Sequence, residues 1–123
     1  MTSSLMTENS IFHITTSSEW ATAKSAGEYA PRDYEGDGFI HCSYAHQLIS
    51  VANSMFHGQS GLVLLEIDRA AVGSEVVDEN LSGGSELFPH IYGRLQAVAV
   101  IRIHNFPSKE DGAFELPASV SDG

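Results

Sequence analysis

The chain of 123 residues sets 6 Lys plus Arg against 16 Asp plus Glu, a formal charge of −10 at neutral pH. Its basic residues are scattered singly, which excludes the clustered phosphate-neutralising footprint of a DNA-binding protein and argues against RNA and anionic membrane surfaces on the same ground. A hydrophobic share of 42% is enough for the core of one domain, and no run approaches the roughly 20 apolar residues of a membrane-crossing helix.

The single cysteine, Cys42, cannot form an internal bridge, and its apolar neighbours point to a buried thiol in a reduced compartment. The opening "MTSSLMTENS" has neither a basic residue nor a signal-length apolar run, so a cytoplasmic protein is expected. Residues 1–10 are polar and read as a disordered N-terminal segment. "IFHIT", residues 11–15, predicts a first strand. Thr16 then acts as N-cap with Glu19 three positions on, a capping box, and Trp20, Ala23 and Ala26 fall close to one helical face before Gly27 stops the helix. "YAPRDYEGDG" reads as a loop, and "FIHC" as a short second strand. Ser43 caps a second helix whose apolar positions Ala45, Leu48, Ile49, Ala52 and Phe56 follow the i, i+3, i+4, i+7 rule up to Gly58.

"GLVLLEID" is hydrophobic almost without interruption, as a central strand is. "SEVVDE" reads as a fourth strand, and "NLSGGS" as a loop. "ELFPHIYG" reads as an extended piece that Pro89 confines to an edge or a bend. "AVAVIRI", residues 97–103, is expected to be the last core strand. From Phe106 the chain is polar with two prolines, an irregular tail on the surface. The fold class is α+β, one domain over residues 11–105 with helices early and strands dominant.

Three apolar segments each carry one histidine: His13, His41 and His90. Alternation puts His13 and Thr15 on one side of the first strand, and His41 and Ser43 on one side of the second. The expectation is a polar cleft lined by two neighbouring strands. His90 and Tyr92 likewise share a side. His46 and His57 read as solvent-facing and His104 as an unremarkable strand end, while Cys42 is a poor nucleophile because desolvation raises a thiol's pKa. No Gly-rich phosphate loop, paired-cysteine spacing or nucleophile elbow is present. The histidine spacing offers no local chelating pair, so no metal is expected.

The blocks "IFHITTSSEWATAKSAGEY", "GFIHCSYAHQLISVANSMF", "LVLLEID" and "ELFPHIYGRL" together resemble the small bacterial family catalogued as domain of unknown function 952, over about residues 11 to 105. That family's architecture resembles the ADP-ribosyltransferase fold, a small split antiparallel β-core with two flanking N-terminal helices. Transferases of that class begin with a strand bearing His and Thr two residues apart, similar to "HIT" here, and continue with a second strand ending in Ser or Tyr, similar to "GFIHCS". The resemblance implies NAD or a related nucleotide as substrate, cleaved or transferred as ADP-ribose through an oxocarbenium-like transition state. It implies His13 and Glu86 as catalytic residues, with Thr15, His41, Ser43, His90, Tyr92 and Arg94 binding the nucleotide. Because "AVAVIRI" holds no carboxylate, the alternative is a non-catalytic ligand- or protein-binding module on the same fold.

Overall fold

The computed structural model describes residues 10–81 and 84–120. Residues 1–9 of the expected disordered segment, and part of "NLSGGS", lie outside them; Ser10 already belongs to the first strand. In chain order the elements are β1 (Ser10–Thr16), α1 (Ser17–Ala26), β2 (Glu28–Tyr29), α2 (Tyr34–Asp37), β3 (Ile40–His41), α3 (Leu48–Met55), β4 (Leu62–Asp68), β5 (Glu75–Glu79), β6 (Phe88–Tyr92), β7 (Leu95–Gln96) and β8 (Val100–Asn105). The class is α+β with antiparallel pairing throughout, in three small sheets ordered β1-β4-β8, β2-β7 and β3-β6-β5.

The hydrophobic run of β4 takes the centre of its sheet, pairing with β1 from Ser10↔Asp68 to Thr16↔Leu62 and with β8 on the other side. Alternating side chains divide the interior in two. On one face, Ile11, Val63, Leu65 and Ile67 pack with Trp20 and Ala23 of α1, Tyr29, Ile40 and Ile91. On the other, Phe12, Ile14, Leu62 and Leu64 pack with Leu48 and Ala52 of α3 and with Phe106, Phe114 and Val120. The first strand is therefore buried on both faces, not apolar on one and cleft-lining on the other.

The helix ends follow local chemistry. Thr16 Oγ1 accepts from the backbone N–H of Glu19 at 3.1 Å, and Gly27 closes α1 in the left-handed region at φ 89°. Its expected capping-box carboxylate instead accepts the Thr15 hydroxyl at 2.9 Å. The second long helix begins later than Ser43. That residue's backbone is spent on a two-bond bridge to Phe12, with Ser43 N–H to Phe12 O and Phe12 N–H to Ser43 O both at 2.8 Å. A 3-10 turn over Ala45–Gln47 intervenes before α3. The predicted loop after Gly27 also holds the two residues of β2 and the single-turn α2.

Three expectations need correction. Pro89 does not mark an edge, because β6 is the middle strand of its sheet. The missing N–H falls where it costs least: Cys42 donates to Pro89 O at 3.0 Å, no bond can return, and β3 ends at His41. "AVAVIRI" opens with a 3-10 turn over Ala97–Ala99, and β8 is an edge strand with Ile103 42% exposed. The tail, though irregular, is not confined to the surface. Phe106 is fully buried and stacks on Phe114 with centroids 4.8 Å apart, so its aromatic residues complete the second core.

Gly93, which follows β6, has no room for a side chain: a Cβ there would lie 2.0 Å from Ser74 Oγ and 2.6 Å from Ser74 Cβ. Gly93→Ala should therefore lower unfolding free energy by about 1–3 kcal/mol, the usual cost of overpacking. Adding Ser74→Gly should recover most of that loss, as read from urea denaturation of the single and double variants.

Candidate functional site

His13 projects from β1 into the first core and is 7% exposed. Its Nδ1 lies 2.6 Å from the carbonyl oxygen of His41, and its Nε2 2.8 Å from the Tyr29 hydroxyl. A carbonyl can only accept, so Nδ1 carries the proton and Nε2 accepts from Tyr29. Burial lowers the imidazole's pKa, keeping the ring neutral, and pushes the Tyr29 hydroxyl up to about 12, keeping it a donor. Both ring nitrogens are thus committed inside the protein. His13 and His41 meet through a backbone carbonyl rather than across a shared hollow.

The imidazoles of His41 and His90 do meet. The two residues are cross-strand partners between β3 and β6, with ring centroids 5.2 Å apart. His41 is on the outer face, its side chain 56% exposed, with Nε2 3.0 Å from Asp37 Oδ2. His90 is nearly covered: Phe39 stacks on it at 4.2 Å and 18°, and its Nδ1 lies 2.8 Å from Glu79 Oε2. Tyr92, two residues on and therefore on the same face, donates to that same oxygen. Each carboxylate can only accept, so the proton sits on His41 Nε2 and on His90 Nδ1, leaving the opposite nitrogens as acceptors.

Glu79, at the end of β5, brings a carboxylate to His90. Hydrogen bonds from Tyr92 and His90 hold its pKa below the ordinary carboxylate range, and donating to that carboxylate raises the pKa of the Tyr92 hydroxyl. Both donors use Oε2, and among the described residues nothing engages Oε1. A charged carboxylate, its side chain 22% exposed, therefore lies against one imidazole and one phenol. Among the described residues no three His, Cys, Asp or Glu side chains converge as metal ligands.

The remaining predicted residues lie elsewhere. Thr15 is buried beside His13 and donates to Glu19. Ser43 is buried in the bridge to Phe12. Glu86 accepts from Gln47 Nε2 at 3.0 Å. Arg94 pairs with Glu35 at 3.0 Å, lies 5.4 Å over the Tyr34 ring, and borders an open groove of about 470 Å³ whose walls include Ser18, Glu19, Thr22 and Tyr29. Cys42 is buried and desolvation raises its thiol's pKa, as expected; His46 and His57 are exposed.

Sequence reasoning overlooked Asp37, Glu79 and Tyr29. Asp37 precedes His41 by four residues across the turn at Gly38. Glu79 was legible only as the outward end of "SEVVDE", where alternation sets it with Glu75 and Val77. Nothing in the sequence pairs Tyr29 with His13.

Small α+β proteins with antiparallel sheets are the class this architecture defines. A family described as "Protein of unknown function (DUF952)" matches residues 14–103, and the chain belongs to it. The crystal structure of protein CC0527 from Caulobacter crescentus is similar at 33% identity and TM-score 0.79, covering 87% of this chain and 94% of that one. Its solution NMR structure gives 33% identity and TM-score 0.77, covering 88% and 93%. No curated protein matches.

His13 also carries a pH signature. Its pKa is lowered from 6.5 in the folded state, so below that value the unfolded chain binds more protons and stability falls with pH. The paired carboxylates Glu66, Asp78 and Glu79 act in a separate window, losing their contribution only as pH drops below ordinary carboxylate values of 4.5 or 3.8. The stability gap between wild type and His13→Gln should be about 1–3 kcal/mol near neutral pH and should narrow by about pH 5.5. Thermal unfolding of both proteins across that range checks it.

Proposed function

We propose that the outer face of β3, β6 and β5 binds the ribosyl–nicotinamide part of NAD or a related nucleotide, on a fold that is ADP-ribosyltransferase-like. The observation that carries this reading is the unspent Oε1 of Glu79, held charged beside His90 and Tyr92. Cleaving a nicotinamide–ribose bond needs little proton transfer. It needs a carboxylate to hold a ribose hydroxyl and to face the positive charge that develops on the sugar. Glu79 takes that role in place of Glu86. His90 and Tyr92 fix its geometry, and the half-exposed His41 offers Nδ1 to the ligand. Asp37 and Glu79 favour the cationic nicotinamide ring. His13 and Thr15 support the strand from within.

A second reading, a binding module without cleavage, draws support from the charge distribution. The arginine nearest in sequence to β6, Arg94, is already paired with Glu28 and Glu35, so a pyrophosphate finds little to grip it. The two readings separate on measurement. Saturation-transfer NMR should detect millimolar NAD and nicotinamide riboside on the wild type, and Glu79→Gln should weaken binding about tenfold, or about 1.4 kcal/mol. Chromatography should show nicotinamide release by wild type only. Binding without release selects the module; absence of binding by either ligand removes the proposal.

A further inference from the structure

On the opposite face of the central sheet, a second chain of polar groups runs from the interior to the surface. Glu66 of β4 and His104 of β8 are 5% and 4% exposed. His104 Nε2 lies 2.7 Å from Glu66 Oε1, and His104 Nδ1 lies 2.8 Å from the hydroxyl of Ser119, an exposed residue of the C-terminal segment. The carboxylate also accepts from Ser10 at 2.7 Å and from Arg102 at 3.1 Å, both on Oε2. Burial alone would raise its pKa, but donors from His104 and Ser10, with the charge of Arg102, hold it below the ordinary range.

We propose that Ser119, His104 and Glu66 form a nucleophile–base–carboxylate triad able to react with small uncharged carboxylic esters. The geometry has the order such chemistry requires: a buried acid orienting a buried imidazole, whose other nitrogen reaches an exposed hydroxyl. Glu66 can only accept, so Nε2 holds the proton and Nδ1 is the base; the two nitrogens exchange the roles they have in the familiar serine-protease arrangement. Ser119 Oγ attacks the ester carbonyl as its proton passes to His104 Nδ1, with the imidazolium stabilised by Glu66. The tetrahedral adduct expels the alkoxide, which takes that proton and leaves an acyl-Ser119. Water then attacks the acyl group, giving its proton to Nδ1, and the carboxylic acid departs as Ser119 is restored. Arg102, 60% exposed, is bound to the same carboxylate through Nη1 and helps keep it charged. This site shares no residue with the β3-β6-β5 face, and both His104 and Ser119 lie outside the family match over residues 14–103.

The test uses the whole chain and an alkyl fluorophosphonate, which reports an activated serine without requiring the natural ester. Intact mass and peptide mapping should show one adduct, on Ser119, absent from Ser119→Ala. His104→Gln should slow labelling by about 10²-fold or more. Because His104 is buried, a second variant makes the test independent of that replacement. In folded Ser119→Cys, iodoacetamide should alkylate the new thiol faster at neutral pH than in the same protein unfolded in urea, since an adjacent imidazole favours the thiolate. No adduct on wild-type Ser119, or a thiol in Ser119→Cys that reacts no faster folded than unfolded, overturns the proposal.

Discussion

One buried imidazole holds the three sheets in register. His13 stands on β1, donates to the backbone of β3 through His41 O, and accepts from Tyr29 on β2, so each of its nitrogens ties the central sheet to a different neighbour. Two-residue strands such as β2 and β3 cannot hold themselves by ladder bonds. Their positions come from what they pack on and from specific polar contacts. A neutral histidine suits that place better than a charged side chain, because only a group with one donor and one acceptor can satisfy a carbonyl and a phenol without leaving a buried charge.

That tie also determines how the outer face is presented. Holding β3 by the His41 carbonyl helps fix that strand, and cross-strand pairing brings the His41 side chain to His90. Exposed ion pairs such as His41–Asp37 contribute little to stability, whereas His90 is nearly covered by Phe39 and His41 and its bond to Glu79 is correspondingly constrained. The face therefore combines a rigid imidazole–carboxylate pair with a freer one. Rigid charge placement beside an adaptable donor or acceptor is what recognition of a hydroxyl-bearing ligand requires.

The main strands, the first helix and its caps, and the central place of "GLVLLEID" were legible in the sequence because each rests on local chemistry: period-two or continuous hydrophobicity, a Thr N-cap, a Gly stop. What escaped it depends on distant partners. Pro89 sits in a middle strand because the neighbour on its N side ends there, a fact of pairing that no local pattern carries. The tail's buried Phe106 and Phe114 are sparse among polar residues, so periodicity misses them. Alternation set His13 and His41 on two neighbouring strands facing one cleft, but β1 and β3 belong to different sheets, linked by the bridge between Phe12 and Ser43. Alternation does not say which face meets another layer, and His13 turned out to face a second sheet. Glu79 was hidden in a short acidic strand, where a solvated carboxylate looks the same as one held by two donors.

The central sheet explains why two polar networks can coexist in so small a chain. His13 pairs across β4 with Leu65, and His104 with Leu64, so the two histidines lie on opposite faces of one strand. Among the described residues, each is the only histidine buried on its face of that sheet, and each binds the sheet to a different flank: the two-stranded and outer sheets on one side, the C-terminal segment on the other. Between them stands the apolar body of β4, whose Leu64, Leu65 and Ile67 are fully buried. A charge or proton displaced in one network is separated from the other by that layer, so the physical chemistry of the two faces can diverge while both depend on the same strand for position.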